Sequence, residues 1–446
     1  MQRLIEKMGY KTIPNDFYAK IEEWESWYKG KIESFHRYNQ YNGKKLIARE
    51  RATLGMAKKI CEDWANLILN EKVEITTDSE NATKRLIKIL DENNFKVKAN
   101  QLIELSFALG TGAFVEYVDE NKSVKIDYIK ADMIYPLSWD NKSITECAFA
   151  SEMVIENKKC IYLQLHILHN GKYVIQNKLF EKDGGKEVPL PKNIKPEFYT
   201  NSSTPLFQII MPNIINSYDL SSPMGMSVFA NSIDILKGID LVYDSYQNEF
   251  RLGKKRIIVP VSMVQLNSDE TGLTPVFDDN DTEFYAIKSN DKLCDIKEIN
   301  MELRSEQHKE ALRENINILS DKCGLGSDRY KFEQNSVKTA TEIISDKSSL
   351  FQNLKKHEIT LNKALCDMSK ALLFLDMGLN DISVNIDFDD SIIEDTNTDF
   401  TRNMQLVSAG IMSKTEFRMW WMGETEKQAG KALKAIDDES EWNDEE

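Results

Sequence analysis

Long stripes of apolar residues at helical spacing dominate the chain from about residue 222 onward. The first stripe predicts one amphipathic helix over about 225–253, and it comprises Val228, Ile235, Ile239, Val242, Tyr246 and Phe250. A second long helix is predicted over 302–322, and a β insert separates the two at about 256–301. A third helix is predicted from the capping box Thr339-x-x-Glu342 to a terminal Gly378. Such a block is typical of an assembly part rather than of an active site.

The second and third of these helices carry opposite patterns. The first turns of the second are polar on all sides, and its charges are spaced so that Glu306 can pair with Lys309 and Glu310 with Arg313. The third alternates steps of four and three residues, a pattern that requires a packed partner, at Leu350, Leu354, His357, Leu361, Ala364, Met368, Ala371 and Leu375. His357 is interpreted as a packed polar residue that sets the register, not as a ligand.

The N-terminal half mixes helices and strands. Helices are predicted at 16–38, 46–71, 81–93 and 98–109. From Ala113 the period changes to two, which predicts an antiparallel sheet built from AFVEYVD, SVKIDYI, SITECAFA, KCIYLQLHIL and KYVIQNKLF, followed by a surface loop over 182–206. All prolines lie at or before Pro275, so the remainder is predicted to be mainly helical. The fold class is therefore α+β, mainly α.

The C-terminal region is predicted to hold a short strand and further helices. The strand covers 383–389, a second capping box is Ser413-x-x-Glu416, and the last helix extends to Ile436. Residues 437–446 hold seven carboxylates and no cation, which predicts a solvated, mobile tail.

Composition narrows the function classes. The chain of 446 residues is 41% hydrophobic and 29% charged, as expected of a folded, soluble protein made in the cytoplasm. Its net charge of −15 argues against a protein that grips nucleic acid with its whole surface, although nucleic acid could pass along such a surface. Scattered cysteines predict reduced thiols, and neither a signal peptide nor an apolar run long enough to span a membrane is present.

The sequence offers little for catalysis. It has no phosphate-binding P-loop motif, and the pairs Gly110/Gly112 and Gly324/Gly326 follow helices, where cap glycines are ordinary. His166 and His169 are three residues apart in a strand and so face opposite sides. The best metal candidate by count is an acidic cluster, interpreted as a solvated strand end and helix start, at Asp387, Asp389, Asp390, Glu394 and Asp395. We expect no enzyme, no metal site and no cofactor.

Four stretches in order resemble the portal proteins of tailed phages, of the type found in siphophages of Gram-positive hosts. They are spread over most of the chain and comprise GMAKKICEDWANLILNE (55–71), PMGMSVFANSIDILKGIDLVYDSYQNEFRLGKKRIIVP (223–260), KTATEIISDKSSLFQNLKKHEITLNKAL (338–365) and MQLVSAGIMSKTEFRMWWMGETEKQA (404–429). The resemblance implies a fold with wing, stem, clip, tunnel loop and crown. Mapped onto this chain, these are the wing at 1–222, a stem helix at 223–255, the clip at 256–301, a second stem helix at 302–323, the tunnel loop at 324–338, a long wing helix and strand at 339–394, the crown at 395–436 and the acidic tail at 437–446.

The resemblance also implies function and partners. The chain would form a homo-oligomeric ring, a dodecamer, at one capsid vertex of the virion, assembled in the host cytoplasm, as the channel for packaging and ejecting double-stranded DNA. Further partners would be the terminase, a head-completion adaptor, and the major capsid and scaffolding proteins, with no membrane. The DNA-facing residues would be Gly324, Gly326, Arg329, Lys331 and Lys338, with the glycines also supplying hinge freedom. The channel and stem residues would be Lys254, Lys255, Arg256, Glu306, Lys309, Glu310 and Arg313.

Two other functions stay open on the sequence. One is an oligomeric connector of a phage tail or tail-like particle through which no DNA passes. The weaker one is a metal-dependent nucleic-acid enzyme that uses the acidic cluster between Asp387 and Asp395.

Overall fold

Helices hold more of the chain than strands do. The computed structural model describes the chain except residues 42–44, 71, 156, 183–184, 193, 254–255, 261–265, 270–271, 276–283, 288–296, 328, 331–339, 380, 389–395 and 444–446. Its helices are α1 Gln2–Lys7, α2 Asn15–Tyr28, α3 Glu33–His36, α4 Met56–Ile68, α5 Glu80–Glu92, α6 Phe95–Leu109, α7 Ile233–Leu252, α8 Ser305–Lys322, α9 Ala340–Met377, α10 Thr396–Ser408, α11 Lys414–Met422 and α12 Glu426–Asn443.

The strands fall into several small sheets and one larger one. They are β1 Arg37–Tyr41, β2 Leu46–Glu50, β3 Glu74–Thr77, β4 Gly112–Val118, β5 Val124–Lys130, β6 Ile134–Asp140, β7 Ser143–Ile155, β8 Lys158–His169, β9 Lys172–Glu181, β10 Glu187–Val188, β11 Glu197–Tyr199, β12 Phe207–Ile210, β13 Arg256–Pro260, β14 Leu266–Asp269, β15 Gly272–Pro275, β16 Phe284–Ile287, β17 Lys297–Ile299 and β18 Val384–Asp387. This mixture of helices and strands agrees with the predicted α+β class.

The N-terminal helices are shorter than predicted. The helix predicted over 16–38 ends at Tyr28, since Gly30 adopts a φ of +66° and the chain then turns. The prediction of a helix over 46–71 is wrong at its start. Residues 46–50 instead form β2, which pairs antiparallel with β1, and α4 begins only after Gly55, whose φ is +69°. The apolar stripe that indicated this helix begins at Ala57, so the residues before it, 46–56, had no helical signal of their own.

All five strands predicted from the period-two pattern are present. They lie in two antiparallel sheets, one in the order β12-β4-β5 and one in the order β10-β9-β8-β7-β6, in which β11 also pairs with β9. Helix α6 packs on β4 and β5. The predicted loop at 182–206 contains the two short strands β10 and β11.

The first long helix starts eight residues later than predicted. Residues 222–229 are buried, but they run non-helically across the end of α6. The Val228 N–H donates to the Phe107 carbonyl at 3.0 Å, and a Cβ on Gly225 would lie 2.2 Å from the Gly110 carbonyl oxygen. Burial against α6, rather than a helix, therefore accounts for the apolar residues at 224–230.

The segment between α7 and α8 is the predicted β insert. Within its described residues, β13 pairs with both β16 and β17, and β14 pairs with β15. The second long helix follows as α8, three residues shorter at its start than predicted.

Helix α9 confirms the predicted stripe. Seven of its eight positions are buried and the eighth, Leu375, is half-buried. Leu350, Leu354, Leu361, Ala364 and Met368 join the main hydrophobic core with the aromatic side chains of α2, α4 and α6, while Ala371 packs with Ile175 and Leu206. The helix stops before Gly378, whose φ is +70° and whose N–H donates to the Phe374 carbonyl at 2.9 Å. Thr339, the predicted N-cap, lies outside the described residues.

Three helices close the chain. The predicted capping box is present, since the Glu416 N–H donates to Ser413 Oγ at 3.0 Å and the Ser413 N–H to Glu416 Oε2 at 2.8 Å. The last helix continues to Asn443 instead of ending at Ile436, so part of the predicted tail is helical. Among the described residues, no helix combines the length and apolar character needed to cross a membrane.

Candidate functional site

Helices α7 and α8 form an antiparallel pair that is clasped where it meets the β insert. The Arg304 guanidinium donates from Nε and Nη2 to the two carboxylate oxygens of Glu249 at 3.1 and 2.9 Å. His308 lies 3.5 Å from the same carboxylate and packs beside the Tyr246 ring. The Arg304 guanidinium lowers the pKa of Glu249 to about 2, so this carboxylate is charged at neutral pH. This clasp ties the start of α8 to the end of α7.

The predicted stem residues lie on the exposed side of α8. Glu306 and Lys309 form the predicted ion pair at 3.0 Å, although both side chains are largely exposed. Glu310 and Arg313 are also exposed, but these two described side chains form no ion pair with each other. An exposed pair of this kind gains too little energy to hold two long side chains together.

The remaining predicted stem residues cannot be placed as side chains. Lys254 and Lys255 lie outside the described residues, and so does the side chain of Arg256, whose backbone begins β13.

The end of α8 is a Schellman cap. Gly324 has a φ of +85° and its N–H donates to the Asp321 carbonyl at 2.9 Å, while the Leu325 N–H donates to the Ser320 carbonyl at 2.9 Å. Leu325 is buried, and the Ser320 hydroxyl donates to the Gly326 carbonyl. Both glycines predicted to face DNA are thus held in a packed cap, and the exposed part of the predicted loop begins after Gly326.

This cap is fastened to the core of the protein from two sides. The Trp64 indole N–H, on α4, donates to the Cys323 carbonyl at 3.0 Å. The Asn353 side chain, on α9, donates to the Gly324 carbonyl at 3.0 Å. A Cβ on Gly324 would lie 3.2 Å from Asn353 Nδ2 and 3.3 Å from the Trp64 ring. Only glycine therefore fits here without displacement of these two side chains.

His357, on α9, packs against Trp64 beside this cap. Its ring meets the Trp64 and Phe107 rings edge to face, at centroid distances of 4.8 and 5.0 Å. Its Nδ1 accepts from the Asn213 N–H at 2.9 Å, which requires that nitrogen to be unprotonated. Burial lowers the pKa of His357 to about 4. This agrees with its interpretation as a packed polar residue at a fixed register.

Beyond the cap, the chain returns to α4. Arg329 Nε lies 3.9 Å from the Asp63 carboxylate, and the Tyr330 hydroxyl donates to Asp63 Oδ2 at 2.7 Å. Lys59 donates to the other oxygen of Asp63 at 2.7 Å. Arg329 is exposed, as a DNA-facing residue must be, while Lys331 and Lys338 lie outside the described residues.

The structure brings together several residues that sequence reasoning missed. Asp63, Trp64 and Asn353 hold the segment around Gly324. Trp64 is an ordinary apolar residue of α4, and Asp63 and Asn353 are ordinary polar residues of α4 and α9. His36 and Asp240 form a buried hydrogen bond of 3.1 Å although they are 204 residues apart. No local signal marks such pairs, since their partners are supplied by the tertiary fold.

The described residues contain no side-chain cluster of the kind that holds a metal ion. Nowhere in them do three or more His, Cys, Asp or Glu side chains stand close enough to hold a metal ion. Of the predicted acidic cluster only Asp387 is described, and it lies in β18 opposite Glu74. His166 is buried between the Phe149 and Phe207 rings and burial lowers its pKa to about 3, whereas His169 is exposed at the end of β8.

Two helices joined by the Glu249–Arg304 ion pair flank a β insert, and a long core helix follows them. Residues 10–445 match the family described as Phage portal protein, SPP1 Gp6-like. The chain belongs to this family. No curated protein matches the chain.

Membership in the portal family establishes the general role of the protein. Portal proteins are structural components of the phage capsid vertex and act as the head–tail connector, so this chain is a virion capsid component that functions as an oligomeric connector with capsid partners. The resemblance drawn from four stretches of sequence is thereby confirmed.

Proposed function

We propose that copies of this chain form a ring whose central channel carries double-stranded DNA into the capsid during packaging and out of it during ejection. The observation that carries the proposal is the α7–α8 pair. It joins a helix with a half-buried apolar face to a helix whose outer side is exposed and charged. Side-by-side repetition of this pair around an axis builds a wall with a polar lining, because symmetry turns each residue into a ring.

The charges of the chain favour the passage of DNA through the channel over its adhesion to the channel wall. Glu306, Lys309, Glu310 and Arg313 lie on one exposed side of α8 and are proposed to face the channel, where mixed charges do not hold phosphates tightly. Arg329, with Lys331 and Lys338 further along the chain, is proposed to touch the DNA backbone without reading its sequence. The Arg329 guanidinium already lies close to the Asp63 carboxylate, so its attraction to DNA phosphates is proposed to be weak.

The other parts follow the proposed map of wing, stem, clip, tunnel loop and crown. The strands at 256–299 are proposed as the clip, on which the terminase docks during packaging and the head-completion adaptor docks afterwards. The ring is proposed to be a dodecamer, in contact with the major capsid and scaffolding proteins.

Negative-stain microscopy of the purified chain tests the ring. We expect closed rings with an open central channel. Encapsidation by a terminase then tests DNA passage, and Glu306→Lys combined with Glu310→Lys is expected to slow packaging while rings still form. Rings that support no packaging in any condition would favour a tail connector without DNA passage, and a protein that remains a monomer throughout would refute the ring.

A further inference from the structure

The carboxylate of Asp63, on α4, is shared by three side chains from two parts of the chain. Lys59 donates to its Oδ1 at 2.7 Å, and the Tyr330 hydroxyl donates to its Oδ2 at 2.7 Å. Arg329 approaches Oδ2 less closely, with its Nε at 3.9 Å. The Asp63 side chain is exposed by 9%, whereas that of Arg329 is exposed by 34%. The carboxylate therefore holds two of its neighbours tightly and the third loosely.

Arg329 is the member of this group that can leave at the smallest cost. At 3.9 Å its Nε lies beyond hydrogen-bond distance, so it is held by the attraction of opposite charges near solvent, which is weak. After its departure both oxygens of Asp63 keep a short hydrogen bond, and Lys59 still balances the negative charge. Loss of Arg329 thus does not leave a buried charge without a partner, which would be strongly destabilising.

Tyr330 keeps the neighbouring backbone in place. Its ring packs against the main hydrophobic core, and its hydroxyl is tied to Asp63. Burial, with the nearby Asp63 carboxylate, raises the pKa of this hydroxyl, which therefore keeps the proton that it donates. Because Arg329 is the adjacent residue, its guanidinium can turn away from Asp63 by a change of rotamer while the backbone stays attached through Tyr330.

We propose that Arg329 exchanges between two partners, the Asp63 carboxylate and the phosphates of double-stranded DNA, while Lys59 and Tyr330 remain on Asp63. The inference rests on the proposed DNA channel and deepens it, because it names the residue that limits how strongly Arg329 binds DNA. A guanidinium binds carboxylates and phosphates through the same N–H donors, so the two anions compete for it. Asp63 is buried and acts through Arg329, as a positioning residue.

This exchange keeps each contact with DNA weak. An arginine without a carboxylate beside it would attract phosphates with its full charge, and a ring of copies would repeat that attraction once in every subunit. With Asp63 as the competing partner, the gain from each phosphate contact is offset by the loss of the contact with Asp63. The DNA then slides past Arg329 instead of adhering to it.

Binding of a short double-stranded DNA fragment to assembled rings, measured at several salt concentrations, tests the exchange. Asp63→Asn keeps an oxygen that can accept from Tyr330 but removes the negative charge. We expect the affinity at low salt to rise by about tenfold or more, and the slope of its logarithm against that of salt to steepen by about one or more. Arg329→Gln should lower both, and adding Asp63→Asn to Arg329→Gln should change nothing further.

A matched control makes the same charge change one residue away. Glu62→Gln alters a carboxylate that pairs with Lys58, and it should leave the affinity for DNA unchanged. Circular dichroism and negative-stain microscopy confirm that each variant folds and forms rings. If Asp63→Asn does not fold, Arg329→Gln still tests the contact with DNA, because it leaves Asp63 with its other two partners.

A second measurement tests the attachment through Tyr330. Tyr330→Phe removes the hydroxyl that donates to Asp63, so tryptic cleavage after Arg329 in assembled rings should accelerate by about tenfold. Tyr218→Phe, which loses a hydrogen bond to the Ala230 carbonyl, should leave this cleavage unchanged. Equal cleavage rates in Tyr330→Phe and wild type would refute the attachment.

Three further outcomes would overturn the exchange. Asp63→Asn would bind DNA like wild type, Arg329→Gln would bind as tightly as wild type, or the gain from Asp63→Asn would persist without Arg329. The last result would make the released Lys59 the DNA contact. Wild-type rings that package no DNA would instead count against the proposed function itself.

Discussion

The packed junction at the end of α8 and the C-terminal helices α10–α12 differ in how their aromatic residues are used. At the end of α8, Trp64 is fully buried and hydrogen-bonded, with His357 and Phe107 packed around it. In α10–α12, by contrast, Trp420 and Trp421 are exposed by 46% and 41%, and α11 has no buried residue. The first group stabilises the single chain, and the second leaves apolar surface that only a further contact can bury.

The largest expected effect is on the buried tryptophan. Trp64→Ala removes a fully buried ring and the bond to the Cys323 carbonyl, so the free energy of unfolding should fall by about 3–5 kcal/mol. Trp420→Ala, its counterpart in the exposed group, should lower it by about 1 kcal/mol or less. Urea denaturation followed by circular dichroism compares them. Equal losses of unfolding free energy in the two variants would show that Trp420 supports the fold as much as Trp64 does.

The second effect is a dependence of stability on pH. Burial holds the pKa of His357 at about 4, below the usual value of 6.5, so the unfolded chain binds the proton more readily between these values. His357 therefore stabilises the fold fully above pH 6.5, and about 3 kcal/mol is lost as the pH falls toward 4.

Urea titrations at several pH values measure this effect. His357→Asn, whose Oδ1 can still accept from the Asn213 N–H, should remove about 3 kcal/mol of this loss and leave the part that the buried His166 contributes. The exposed His169→Asn serves as the control. An unchanged pH profile in His357→Asn would contradict the assignment.

A smaller effect is expected at the cap of α8. Gly324→Ala places a side chain in the left-handed region and within 3.2 Å of Asn353, and we expect a loss of about 1–2 kcal/mol. Gly378→Ala is a matched control, because its φ is +70° but nothing lies within 4 Å of the added Cβ. Thermal denaturation should show a larger loss for Gly324→Ala. A larger loss for Gly378→Ala would argue against the packed cap.

The smallest effect concerns α11. Ser413→Ala removes one half of the capping box and should destabilise this helix by about 1 kcal/mol. Hydrogen exchange of the α11 amides measures the local opening, and Ser413→Thr, which keeps the hydroxyl, should restore protection. Because α11 buries nothing in the single chain, the global unfolding midpoint should barely move.

Much of the fold was predictable because its signals are local. The stripe of α9, the alternating strands of the two sheets and the capping box at Ser413 each depend on residues close in sequence, and each is confirmed. Predictions failed where burial arose from distant contacts. Residues 224–230 are apolar because they pack on α6, not because they are helical, and the helix predicted from residue 46 had no periodic signal before Ala57.

The contacts of the candidate site were harder to predict from the sequence than the helices and strands. The polar character of α8 and the pairing of Glu306 with Lys309 follow from spacing alone. The clasp between Glu249 and Arg304 does not, since it joins residues across the whole β insert. Nor does spacing show that Gly324 is gripped by Trp64 and Asn353 rather than free to act as a hinge.

By itself, the sequence determined the family, the α+β class, the three long helices with their β insert, and the absence of known catalytic motifs. Periodicity and ordered motifs carry that information because they act over a few turns or strands. Only the tertiary structure decided where α7 begins and how the end of α8 is anchored. These features depend on contacts between residues more than 100 positions apart, such as Phe107 with Val228 and Trp64 with Cys323.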